Sequence, residues 1–159
     1  MKRMLVILQF TLFTATSFSL TSEQIVKHAH TIATITKAAS DVGVSPELLL
    51  AVAWTESNFR TKHVTHVDGS TPSYGPLQIK LETALYVDQV YKHHHKATAE
   101  RLENTYINAF YAAKYLKLLL SQYNNNWSYA IEAYNIGHAV HGKSQYVHKV
   151  MREVNNEHK

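Results

Sequence analysis

The run Ser45-Pro-Glu-Leu-Leu-Leu-Ala-Val-Ala-Trp-Thr-Glu-Ser57 constrains this chain more than any other. Ser45 is a good N-cap, Pro46 suits the first helical position, and Glu47 complements the positive end of a helix. From Leu48 to Trp54 the predicted helix is apolar on nearly every side, not along one stripe. Such a helix is stable only at the centre of a domain, wrapped by other elements. A chain of 159 residues is long enough to supply that wrapping as one domain.

One polar group breaks the pattern. Glu56 falls in the last turn, where burial and the negative end of the helix dipole both disfavour a carboxylate. Keeping the proton relieves both penalties, and a carboxylic acid that stays neutral near pH 7 is suited to general-acid work. The competing reading makes Glu56 an ordinary helix-end carboxylate paired with Arg60 or Lys62.

The remaining pattern is mostly helical. Thr21-Ser-Glu-Gln24 has capping-box spacing and opens a helix carrying Ile25, Ala29, Ile32 and Ile35, which stops near Gly43. Asp68-Gly-Ser-Thr-Pro-Ser-Tyr-Gly75 is rich in turn residues, leaving room for a short strand or hairpin between His63 and Ile79. Further helices are predicted over residues 83–91, 98–123 (the longest), 127–133 and 144–154, with Gly137 and Gly142 between the last two. The expected fold class is α+β, predominantly α-helical, in one domain over residues 20–159 with at most a small β-hairpin.

Residues 1–19 read differently. Lys2 and Arg3 precede an apolar run too short to span a bilayer comfortably, and Ser17 and Ser19 offer a small-x-small cleavage pattern. A Sec-type signal peptide at 1–19 is expected, and with it a periplasmic or secreted protein with no stable membrane span after cleavage. The alternative is a buried or anchoring N-terminal helix. The chain has no cysteine, which excludes disulfides, thiolate metal sites, a cysteine nucleophile and a lipid-anchored N-terminal cysteine. Lys2 and Arg3 supply two of the formal +4 charges, and residues 1–19 hold no acid, so the mature chain carries +2. That mild charge suits an anionic wall polymer and gives no basic stripe for nucleic acid.

Three segments share chemistry suited to sugars: Glu56-Ser-Asn-Phe59, Gly75-Pro-Leu-Gln-Ile79 and Ala133-Tyr-Asn-Ile-Gly137. Protonating a glycosidic oxygen needs a neutral carboxylic acid in a semi-apolar site. Ser73, Tyr74, Gln78, Tyr134 and Asn135 are residue types that bind sugars, and Gly75 and Gly137 allow close approach of backbone. With Asn108, Tyr115-Leu116, Tyr146-Val147 and Lys149-Val150, these segments resemble, in order, the motifs of the soluble lytic transglycosylases, relatives of goose-type lysozyme. The resemblance covers residues 40–150. Departures are Pro76-Leu77 for the usual Leu-Met, Ala112 where Gly is common, a longer loop from Glu56 to Gly75, and an irregular lead-in at Ser73.

The resemblance implies a lysozyme-like domain that cleaves the β-1,4 bond from N-acetylmuramic acid to N-acetylglucosamine in peptidoglycan. It implies Glu56 as acid and then base, giving a 1,6-anhydro product. Tyr134 is expected to hydrogen-bond near Glu56 or the reacting sugar. Ser57, Gln78 and Asn135 are expected to hold the loop, the helix end and the N-acetyl groups, and Ser73 and Tyr74 to contact substrate. No cofactor or metal is required. Peptidoglycan strands are the expected partner, and a secretion or conjugation apparatus a further one.

Two other functions compete. Asp68 as a base would make the protein an inverting muramidase, although Asp68-Gly69 is also a common turn pair. Loss of activity would leave a wall-binding or assembly module. Trp54 and Trp127 are read as core residues. The histidines at 28, 30, 63, 66 and 93–95 lack the His-Glu-x-x-His metal spacing and are read as surface groups.

Overall fold

The computed structural model describes residues 22–62, 64–65, 71–92 and 97–155. The expected leader, the Thr21 cap, Asp68 and the histidines at 63, 66 and 93–95 lie outside these residues. The order of elements is α1 (Ser22–Val42), α2 (Pro46–Ser57), β1 (Val64–Thr65), β2 (Ser73–Tyr74), β3 (Ile79–Lys80), α3 (Leu81–Tyr91), α4 (Ala99–Leu102), α5 (Thr105–Gln122), α6 (Trp127–Ile136) and α7 (Gln145–Asn155).

Helix α2 is the hub, as its sequence requires. Leu48, Leu49, Ala51, Val52 and Ala53 are wholly buried, and α1, α5 and α7 pack around it. Ser45 Oγ accepts the Leu48 N–H at 3.1 Å to start the helix. The chain leaves through two left-handed residues, Asn58 (φ 52°) and Phe59 (φ 59°). That conformation is uncommon for a bulky residue and is held by its surroundings. Here the reversal drives Phe59 into the core, where it is 1% exposed and its ring lies 5.5 Å from that of Trp54. Burial of Phe59 thereby fixes the end of the helix that carries Glu56.

Three expectations change in detail. The longest helix is α1, not the one following residue 98, and its Ala29 is exposed. The predicted helix over 98–123 is two helices. Asn104 Oδ1 accepts the Ile107 N–H at 3.1 Å, a cap that competes with helix continuation and restarts the chain as α5. The small β element is a three-stranded antiparallel sheet in the order β1-β2-β3, two residues per strand, with Val64 opposite Tyr74 and Ser73 opposite Lys80. No described helix is long and apolar enough to cross a membrane.

Candidate active site

A cleft of about 560 Å³ opens between the C-terminal end of α2, the β2–β3 turn with the start of α3, and the C-terminal end of α6. Glu56 lines it together with Ser73, Gln78, Thr83, Tyr115, Tyr134, Asn135 and Gly137. The structure thus brings together residues from positions 56 to 137 of the chain.

Glu56 is set by two opposed effects. Burial raises its carboxyl above the usual range, and a hydrogen bond from Tyr146 lowers it; burial is the larger. The Tyr146 hydroxyl donates to Glu56 Oε1 at 2.5 Å. Tyr146 enters from α7, whose Val147, Val150 and Val154 are buried, so the packing of α7 on α2 delivers the hydroxyl. Burial and the nearby Glu56 push the hydroxyls of both Tyr146 and Tyr134 well above the ordinary tyrosine value, so both remain donors. The Arg60 guanidinium donates from Nε to the Ser57 carbonyl at 2.9 Å.

The opposite wall is tied together by backbone contacts. Ser57 Oγ, 1% exposed, lies 2.8 Å from the Pro76 carbonyl and 3.2 Å from that of Ala53. The Tyr134 hydroxyl donates to the Leu77 carbonyl at 2.8 Å, and the Tyr134 ring sits 5.6 Å from that of Tyr115. The fully buried Asn108 accepts from Leu77 N at 3.0 Å and donates to the carbonyls of Tyr74 at 2.7 Å and Leu102 at 3.1 Å. Gln78 adopts φ 48°, and its Nε2 donates back to the Gly75 carbonyl at 2.8 Å. Asn108, Ser57 and Tyr134 therefore grip residues 74–77 from three helices.

Of the residues singled out in the sequence, Glu56, Ser73, Gln78, Tyr134 and Asn135 line the cleft. Ser57 and Tyr74 do not. Ser57 is buried beneath the 75–78 turn that it holds, and Tyr74 contributes its carbonyl to Asn108 while its side chain packs on the core. The Tyr134 hydroxyl goes to Leu77, not to Glu56.

Tyr146, the direct partner of Glu56, has no role predicted from the sequence, since 90 residues separate the two. Its signals in the sequence are the Tyr146-Val147 resemblance and its place beside the apolar positions 147, 150 and 154, and neither points to Glu56. Glu132 likewise carries no signal of its role in the sequence. This α6 carboxylate, 1% exposed, accepts the N–H groups of Val140, His141 and Gly142 at 2.7, 2.9 and 2.8 Å. Those bonds, led by the one from Gly142, hold it down to about 2. It fixes the segment leading from the cleft wall at Gly137 to α7 and Tyr146. His141 Nδ1 accepts the Lys143 N–H at 2.9 Å, so its 3.3 Å approach to Glu132 is not a hydrogen bond from that nitrogen.

Residues 33–154 match the model of the transglycosylase SLT domain, and the chain belongs to that family. Three solved structures are similar. Lytic transglycosylase Slt of Pseudomonas aeruginosa, solved as an inactive glutamate-to-glutamine mutant, is 26% identical with a TM-score of 0.58, over 66% of this chain and 16% of that one. A 70-kDa soluble lytic transglycosylase in complex with bulgecin A is 19% identical, with a TM-score of 0.57, over 76% of this chain and 18% of that one. The 70-kDa enzyme of Escherichia coli is 18% identical, with a TM-score of 0.56, over 77% and 19%. The last two likenesses are of fold. The matches span less than a fifth of the length of each of these proteins. A search of the curated proteins returns no match.

Proposed function

We propose that this protein is a peptidoglycan lytic transglycosylase in which Glu56 serves first as acid and then as base. The observation that carries the reading is the state of Glu56: a buried carboxyl at a helix end, biased toward its neutral form, facing a cleft and bonded to a tyrosine hydroxyl. Membership of the SLT domain family supports it. So does the Pseudomonas aeruginosa relative, where replacing one glutamate by glutamine gives an inactive protein.

Tyr146 occupies Oε1, so the transferable proton belongs on Oε2. Glu56 gives that proton to the oxygen linking N-acetylmuramic acid to N-acetylglucosamine. The bond from C1 of the muramic sugar to this oxygen breaks, and N-acetylglucosamine leaves with a free hydroxyl. Positive charge at C1 is met by the acetamido group of the substrate. The Glu56 carboxylate, stabilised by the Tyr146 O–H, then takes the proton of the muramic C6 hydroxyl as its oxygen closes on C1. The product is a 1,6-anhydro end, no water is consumed, and Glu56 regains its proton. Tyr134 and Asn108 act indirectly by holding the 74–77 wall. Gln78, Ser73 and Asn135 are proposed to bind the sugars, with Ser57 and Tyr74 supporting them from behind.

Export past the cytoplasmic membrane is proposed on the leader-like residues 1–19, and N-terminal sequencing of the exported protein tests it. Service to a secretion or conjugation apparatus is a further proposal, and a deletion that leaves every such system of the host working would refute it. The cleavage reading is tested by incubating purified peptidoglycan with the protein and weighing the released fragments. Anhydro ends support it. Ends heavier by one water would assign hydrolysis and bring forward Asp68, and no release would favour the wall-binding module.

A further inference from the structure

We propose that Lys80 is a carboxylate-binding residue at the mouth of the cleft, selecting glycan strands by the acidic groups carried on the muramic sugar. The inference rests on the peptidoglycan reading and adds to it a feature of the substrate that Glu56 does not read.

Lys80 stands opposite Ser73 in the β2–β3 pair. Residues directly opposite in an antiparallel pair share a face of the sheet, and both line the cleft. Among the described lining residues Lys80 is the one lysine or arginine. Its ammonium is poorly used within the protein. Among the described residues the nearest carboxylate, Glu82 Oε1, is 3.9 Å from Nζ, outside hydrogen-bonding distance. The two side chains are 42% and 60% exposed, where so loose a pair contributes little. Glu82 also accepts from Thr71 Oγ1, which lies 3.1 Å from both of its oxygens.

Placement also matters for Glu56. A cation against the catalytic carboxyl would drive off the proton that it must donate. The influences on Glu56 are burial and Tyr146, with no contribution from Lys80. The cleft therefore keeps Glu56, biased toward its neutral form, apart from a lip lined by both Lys80 and Glu82, where a ligand carboxylate would compete with Glu82 for the ammonium. Muramic acid offers a matching group. Its lactyl ether ends in a carboxylate when no peptide is attached, and an attached stem carries carboxylates of its own. A lysine, a compact charge without the planar fork of arginine, suits a group that arrives in varied orientations.

The test measures binding to the cleavage-disabled Glu56→Gln protein, with and without Lys80→Gln. Four glycan fragments are titrated: one with its stem, the same with stem carboxyls amidated, one without a stem, and its lactyl amide. The Glu56→Gln protein is expected to favour at least one acid over its amide by about three- to fivefold at low salt. That preference shrinks near 0.5 M salt, where the screening length is roughly 4 Å. Lys80→Gln is expected to abolish the preference and Lys80→Arg to restore it. Loss within the stem pair assigns the stem carboxylates, and loss within the stem-free pair the lactyl group. Binding of all four fragments without preference, or a preference that survives in Lys80→Gln, overturns the role of Lys80 and leaves the peptidoglycan reading intact. No binding to any fragment refutes that reading and this inference with it.

Discussion

Replacing Gly75 by alanine challenges the cleft wall at its tightest point. Gly75 has φ +68°, and an added Cβ would lie 2.6, 2.7 and 2.9 Å from Cγ, Nδ2 and Oδ1 of Asn108. Ordinary flexibility cannot relieve the clash, because the Asn108 amide is fully buried and bonded to Leu77, Tyr74 and Leu102. The left-handed backbone alone costs a non-glycine residue about 1–2 kcal/mol. Displacing the amide forfeits up to three hydrogen bonds worth about 1 kcal/mol each. Gly75→Ala should therefore lose about 3–5 kcal/mol of stability. Asn108→Ala, which deletes the same bonds without adding strain, should lose about 3 kcal/mol. In the double variant the clash is gone, so its loss should exceed that of Asn108→Ala by only about 1–2 kcal/mol. Urea denaturation of the four proteins measures the cycle. Additive losses, or a Gly75→Ala loss below about 1 kcal/mol, would refute the claim that Asn108 and Gly75 lock this wall together.

Three further outcomes follow from the same contacts. Glu56→Gln should keep the fold and slow cleavage by at least about a thousandfold, within the range for general-acid catalysis; since the Glu56 pKa is raised from 4.5, the variant should also become progressively more stable than wild type as pH climbs above 4.5, as melting curves across pH can verify. Tyr146→Phe removes the bond that lowers the Glu56 pKa, so the pH–rate profile should extend to higher pH on its alkaline side while the maximal rate falls. Glu132, held down to about 2 from 4.5, contributes stability that is present above pH 4.5 and lost as pH falls through 2; the stability gap between wild type and Glu132→Gln should therefore be widest at neutral pH and close in acid, and a gap independent of pH would contradict the anchor described for this carboxylate.

Local signals in the sequence are legible where a side chain acts on its own helix. Ser45 and Pro46 start α2, Gly43 ends α1 with φ 76°, and the all-round apolar run becomes the hub. The Asn104 cap is hard to see in the sequence because apolar residues continue on both sides of it, at Leu102 and at Ile107 and Phe110, and an apolar pattern does not register a backbone restart. The site was legible as a set of residue types and much less as a set of contacts. Glu56 carries its own signal, a lone acid on an apolar helix. The partner that bonds it, Tyr146, stands in a segment that resembles the family, but its bond depends on how α7 docks on α2, a long-range packing event that the pattern of neither helix specifies. The same limit explains Tyr134, whose hydroxyl turns to Leu77, and Glu132, whose three N–H donors come from the following loop.

One carboxyl, Glu56, is proposed to perform both proton transfers, with water taking no part. Mass spectrometry of muropeptides released from purified peptidoglycan by the wild-type protein and by folded Glu56→Gln tests it most directly. 1,6-Anhydro ends are expected from wild type and none from the variant. Reducing ends from wild type, or anhydro ends from Glu56→Gln at an undiminished rate, would contradict that proposal.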